Sequence, residues 1–380
     1  MSQLLLSEMK SLANVWLSLT IAAVFAAGGC STSTDPVAPL VVPEMYDSTS
    51  YAANTVEQYQ LRNAITALTN LMKTGRTSGT VVDRSALESL WLAVRGNTNV
   101  YYQPFVTQYL DSLSQASGKT YSWDTPPTSS GVGGTYGGYL FSNTGLEMEQ
   151  MVEKGLFSAA LYHQATLIMQ RTLTPASVDQ LVALFGAHPL FPNTDKATVN
   201  PDRYAAAYAA RRDQNDGNGL YTTFKKAAIK LQAAVKAGGA YENERNEALS
   251  ALRAAWEKAI MATVINYTYA VVDGLSATTV TDQSRASAMH AYGECVGFLH
   301  GWKGVSQKSR RITDAQIDAL LGYLFAPAAG PWQCYLFWQQ PVVFLPRVVE
   351  ARKSLQALYG FTDVEMESFR TNWVNAQNRQ

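Results

Sequence analysis

The sequence predicts an all-α protein built of antiparallel helical bundles, and three observations carry that prediction. Apolar residues recur at helical spacing from Asn54 almost to the C-terminus, and helix starts and stops recur with them. Strand signals are nearly absent, and no fixed-period repeat points to a solenoid. The 380 residues are 47% hydrophobic and only 16% charged, enough to bury a large core. With 30 basic and 30 acidic side chains the net charge is +0, which argues against a nucleic-acid surface built on bulk positive charge.

Taken in order, Asn54 with Glu57 reads as a capping box ahead of Val56, Leu61, Ile65, Leu68 and Met72, with Gly75 as the stop. Ser85 with Glu88 repeats the device before Leu87, Leu90, Trp91 and Val94. A third helix is expected over about 101–116. Residues 118–145 are rich in Gly, Ser, Thr, Pro and Tyr and read as a long irregular loop. A strong helix follows from Leu146 to about Thr172, and Thr174-Pro175 opens another that Gly186 closes.

The proline-rich stretch 187–200 reads as a link, with a new helix starting at Asn200-Pro201. Helices are then expected over about 219–237 and 241–273, the latter striped by Leu249, Leu252, Trp256, Ile260, Val264 and Tyr267. The last four are expected near 282–302, 313–325, 346–359 and 362–375, the final one opened by a Thr362/Glu365 box. This organises the chain as 1–29, 30–50 and a helical domain over 51–376, with candidate halves 51–190 and 200–376.

The N-terminal segments are read from targeting chemistry. Lys10, the apolar run Leu12–Ala27 and the small residues before Cys30 describe a secretory signal peptide. The ending before Cys30 resembles the lipobox of bacterial lipoproteins, which implies lipidation at Cys30 and, with Ser31 next, the outer membrane; residues 31–43 read as a tether. Such an export signal places the protein outside the cytoplasm, held at a membrane by its lipid. Cys295 and Cys334 are then either a disulfide or two buried thiols.

No HExxH, GxSxG, Walker loop or GxGxxG stands in the chain. Asp213 to Gly217 lacks the EF-hand glycine and glutamate, since Asn218 and Phe224 occupy those places, and it reads as a solvated turn. The one constellation of note is His290 and Glu294, one turn apart on one helix face, close enough to share a transition metal or each other. Gly293, Gly297 and Gly301 on or near that face predict the close approach of another helix or a ligand. The plainer reading is a buried His–Glu staple between helices. His163 reads as a half-buried histidine that can add a ligand from another helix. Arg62, Arg211, Arg212 and Glu257 sit on apolar helices, where they line a polar cavity or form surface ion pairs. His188 and His300 attract no role.

These fragments, in order, resemble a family of bacterial lipoproteins related to the imelysins. The carriers are Thr55-Val56 with Gln60-Leu61-Arg62, Glu153 to Leu156 with Tyr162 to Ala165, and Leu184-Phe185-Gly186. Tyr208 with Arg211 to Asp213, Trp256 to Lys258, and His290 to Glu294 with Gly297-Phe298 complete them. The resemblance covers most of 46–375. It implies an exported protein, a double four-helix bundle and an association with iron uptake through a partner protein. The imelysin hallmark GxHxxE spaces His and Glu by three; here the spacing is four, and Ala288 stands two before His290. The expected function is therefore a lipid-anchored binding protein taking a metal or metal-bearing ligand through His290 and Glu294, with Arg62, His163 and Arg212 as further ligand-binding residues. The alternative is a surface lipoprotein that binds carbohydrate or peptide through stacking aromatics, including those of 131–141. A hydrolase ranks below both.

Overall fold

Several helices begin where a side chain accepts from their first free amides, as at Asp83, Thr174, Thr281, Thr313 and Thr362. The computed structural model describes residues 37–123, 128 and 131–380; Cys30 and the rest of the segment up to residue 36 lie outside the described residues. Helix accounts for 63% and strand for 2%, so the all-α class holds.

Helix α1 (Tyr51–Asn54) leads directly into α2 (Val56–Thr74). The box expected at Asn54 and Glu57 does not form, because the chain is already helical at Tyr51. Asn54 Nδ2 donates instead to Asp179 at 2.7 Å. The cap of α3 (Arg84–Arg95) is Asp83, which accepts from Ala86 N at 2.8 Å, while Ser85 only donates to Asp83. Helix α4 (Gln103–Ala116) carries Pro104 in its first turn.

Within the expected loop lies a hairpin. Strands β1 (Gly134–Tyr136) and β2 (Tyr139–Phe141) pair antiparallel with Thr135 opposite Leu140. Gly137 and Gly138 turn it at φ of 54° and 81°, a primed turn that glycine adopts without strain.

Helix α5 (Met148–Leu156) runs through a π-helical segment (Phe157–Tyr162) into α6 (His163–Met169). The Ala159 carbonyl in the wide turn accepts from Asn99 N at 2.8 Å. Helix α7 (Pro175–Phe185) has the expected Thr174 cap and stops at Gly186, where φ is 99°. Helix α8 (Tyr204–Arg212) starts later than Asn200-Pro201 predicts. Asp202 is held in the link by its own N–H to the Thr194 carbonyl and by its carboxylate, which accepts from His188 N and Thr194 N.

Helices α9 (Leu220–Ala237), α10 (Glu242–Ser276), α11 (Asp282–Trp302) and α12 (Asp314–Tyr323) fall close to where the periodicity predicts. The Asp213 turn joins α8 to α9, but its aspartate is buried, not solvated. It accepts from Thr222 N at 2.8 Å in the first turn of α9. After α13 (Leu336–Gln339), α14 (Pro341–Tyr359) begins ahead of Pro346 and carries that proline inside. The final helix expected over 362–375 is divided into α15 (Asp363–Ser368) and α16 (Trp373–Ala376). The Phe369 carbonyl is drawn to Arg212 and to Asn266 Nδ2, which leaves it outside a continuous ladder.

Residues Leu40–Gln380 form one compact unit. At its centre α10 packs on α8, α9, α11 and α14, and α11 packs in turn on α5 and α12. The short link 277–281 makes α10 and α11 antiparallel neighbours. Along α10 the expected stripe is buried at Leu252, Trp256, Ile260 and Val264 and half-buried at Leu249 and Tyr267. Among the described residues no helix is long and apolar enough to cross a membrane.

Candidate functional site

The three glycines of α11 do bring a helix close, and it is α5. A Cβ at Gly301 would meet the Gly155 carbonyl oxygen at 2.2 Å, and one at Gly297 would meet that of Gln150 at 2.5 Å. At Gly293 the neighbours are Glu147 and Gln150, each at 3.3 Å. This contact presses the charged side chains of the two helices together. His290 Nδ1 lies 2.6 Å from Oε2 of Glu147, the residue just before α5, but its Nε2 stays 3.7 Å from Glu294, so the staple runs to the start of the neighbouring helix. Tyr139 of the hairpin stacks on His290 with centroids 4.4 Å apart, and the Arg76 guanidinium lies 5.2 Å from the centroid of the Tyr139 ring. That hairpin tyrosine is therefore engaged inside the protein.

Both carboxylates are already matched by cations. Glu294 pairs with Lys154 Nζ at 3.1 Å, and Glu147 pairs with Arg76 at 2.9 Å. Arg76 also pairs with Glu149, and Lys73 reaches Glu153 at 2.6 Å. Burial, with Glu153 and Glu147 nearby, pushes Glu149 well above the usual carboxylate range. Burial alone would raise Glu153 too, yet Lys154, Glu149 and Lys73 hold it well below. Burial would lower Lys154, but Glu153, Tyr208 and Glu294 keep its ammonium charged. Among the described residues no group of three or more His, Cys, Asp and Glu is arranged to hold a metal ion.

The ionic chain opens at Glu153 and Lys73 into a cleft of about 680 Å³. Helix α2 contributes Tyr59, Arg62 and Lys73, the π segment Phe157, the link His188, Asp195 and Asp202, and α8 Tyr204, Tyr208 and Arg211. Arg62 is 7% exposed. Its Nη1 donates to the Ala183 carbonyl at 3.2 Å, in the last turn of α7, and its guanidinium lies over Tyr59 and Tyr204 at 4.5 and 5.3 Å. The other cations differ. Arg211 donates from Nε to Asp195 at 2.9 Å, and Arg203 is exposed at the rim. Burial pushes Asp202 up to about 7 and pushes the His188 imidazole down, with Arg62 adding to the latter shift.

Of the residues singled out from the sequence, Arg62 and Arg211 meet in this cleft. Arg212 does not: it is buried beneath Phe369, and burial lowers it to about 10. Half-buried His163 stands outside the cleft, and burial lowers its imidazole. Glu257 accepts from Arg311 N, Ile312 N and the Tyr359 hydroxyl, so it holds loops rather than lining a cavity. Cys295 and Cys334 are buried free thiols, the second of the two alternatives left open above. Burial pushes both up, Cys334 to about 12.

His188, passed over in the sequence, stands in the cleft wall, and nothing beside it in the proline-rich link marks it. His300 is buried between the Tyr101 and Tyr109 hydroxyls, 3.2 and 3.1 Å away. No family model, curated protein or solved structure matches the chain.

Proposed function

We propose that the chain is a lipid-anchored, extracytoplasmic binding protein of imelysin-like double-bundle build, whose ligand sits in the cleft over Arg62. One observation carries the reading: a guanidinium only 7% exposed faces the cleft with a carbonyl and two aromatic rings as partners rather than a carboxylate. A buried cation with no carboxylate in hydrogen-bond contact is costly, and nearby Asp202 and the C-terminal dipole of α7 offset only part of that. A ligand anion supplies the rest. The volume suits a small molecule, and the tyrosine walls favour one with a flat or apolar part.

The protein is anchored through Cys30 at the outer membrane and hands its ligand to an uptake-system partner. A hydrolase with a thiol nucleophile has little support, because burial pushes both thiols up, the opposite of an activated cysteine. Mass spectrometry of the protein extracted from the membranes of its own cells tests the binding reading. About one equivalent of a small molecule should be released on unfolding; a chain that releases nothing contradicts it.

A second reading, a transition metal held by His290 and Glu294, draws its support from the 3.7 Å approach of His290 Nε2 to Glu294. A metal there competes with Lys154 for the same carboxylate. Elemental analysis of the parent beside a His290→Ala/Glu294→Ala variant decides it: a metal equivalent lost in the folded variant supports the site, and none in either sinks it.

A further inference from the structure

A second cleft of about 660 Å³ adjoins the first and shares Tyr59, Asn63 and His188 with it as a common wall. Its character is different. Tyr51, Ala52, Val56, Pro189 and Leu190 make it mainly apolar, and Val56 and Leu190 are left 53% and 69% exposed. Large apolar side chains left exposed in one groove are a standing cost in water that an apolar ligand removes. On the polar side the charges are already matched at Arg211 with Asp195 and Lys73 with Glu153, so Arg62 is the buried cation left to receive an anion. Asp202, with its carboxyl raised by burial, offers an entering anion less opposition than an ordinary aspartate.

We infer that the ligand is an anionic amphipath, with a carboxylate or phosphate head on Arg62 and an apolar chain crossing the shared wall into the groove of Val56 and Leu190. The inference rests on the reading of the Arg62 cleft as the ligand site. Head and chain are read by separate surfaces, so affinity depends on both. The planar guanidinium offers paired donors to a carboxylate or phosphate, and each further methylene should raise affinity by about fourfold until the groove is filled.

The test is calorimetric titration of the full chain with Cys30→Ser, in buffer free of detergent. The probes are acetate, hexanoate, octanoate, decanoate, octyl phosphate and neutral decanol, each below its micellar concentration. Affinity should climb from acetate to decanoate. Arg62→Gln should weaken decanoate at least tenfold while leaving decanol unchanged, and Arg62→Lys should lose less because it keeps the charge without the fork. Leu190→Asp, at an exposed position with little to unfold, should weaken decanoate and spare acetate. Comparing octanoate with octyl phosphate identifies the head group.

Acetate binding as tightly as decanoate overturns the amphipath and leaves a small-anion cleft. Equal loss of decanoate and decanol in Arg62→Gln overturns the role of the head group. If no probe binds while membrane-extracted protein still carries a molecule that Arg62→Gln loses, the amphipath falls and the cleft stands. If that molecule too is indifferent to Arg62, both fall.

Discussion

The Lys154 ammonium stands 3.1 Å from the Glu294 carboxylate, both buried, where Gly297 lets α5 and α11 meet backbone to backbone. Close approach and charge pairing are one feature here, since the glycines remove the side chains that would hold the ions apart. Breaking such a buried pair from the lysine side is expensive, because Glu294 then stays buried without its cation and Glu153 loses its 2.8 Å contact with Lys154 as well. Lys154→Met alone is expected to cost about 3–5 kcal/mol, and the double variant Lys154→Met/Glu294→Leu much less than the sum of the singles. Urea unfolding of the four proteins measures the coupling; additive losses would show that the pair acts separately.

Gly301 and Gly322 make a matched comparison. A Cβ at Gly301 meets the Gly155 backbone at 2.2 Å, whereas one at Gly322, within α12, meets nothing within 4 Å. Gly301→Ala should destabilise by about 1–3 kcal/mol through overpacking, and Gly322→Ala should stabilise by up to about 1 kcal/mol through helix propensity. Thermal melts read both signs.

Two buried groups set opposite slopes of stability with pH. Burial lowers His300 from 6.5 to about 3, with Lys303 adding a little, so the stability tied to its neutral form is present above 6.5 and lost as pH falls toward 3. Asp202 is raised from 3.8 to about 7, so its contribution is full below 3.8 and lost as pH rises through 7. Nuclear magnetic resonance titration should show His300 without a midpoint between pH 5 and 8, and a carboxyl midpoint near 7 at Asp202. A His300 midpoint near 6.5 would mean that the imidazole is solvated.

Periodicity made the long helices legible because their apolar faces are long enough to average out local noise, as along α10. Local capping rules failed where a rival sat one or two residues away: Asp83 displaced Ser85, and the helical turn at Tyr51 pre-empted Asn54. The hairpin was hidden because Gly137-Gly138 lies among other glycines, which blurs a turn signal into a loop signal. Close packing on α11 was readable from three glycines on one helix. The cleft was not, since Tyr59, Arg62, His188, Tyr204 and Arg211 come from three segments that only the tertiary fold brings together.

Where the ligand sits is tested most directly by mass spectrometry of membrane-extracted protein in three forms: the parent, Arg62→Gln and His290→Ala. The cleft reading predicts a bound molecule in the parent and in His290→Ala, and its loss in a folded Arg62→Gln. A ligand retained in Arg62→Gln and lost in His290→Ala would contradict the account and move the site to the α5–α11 staple.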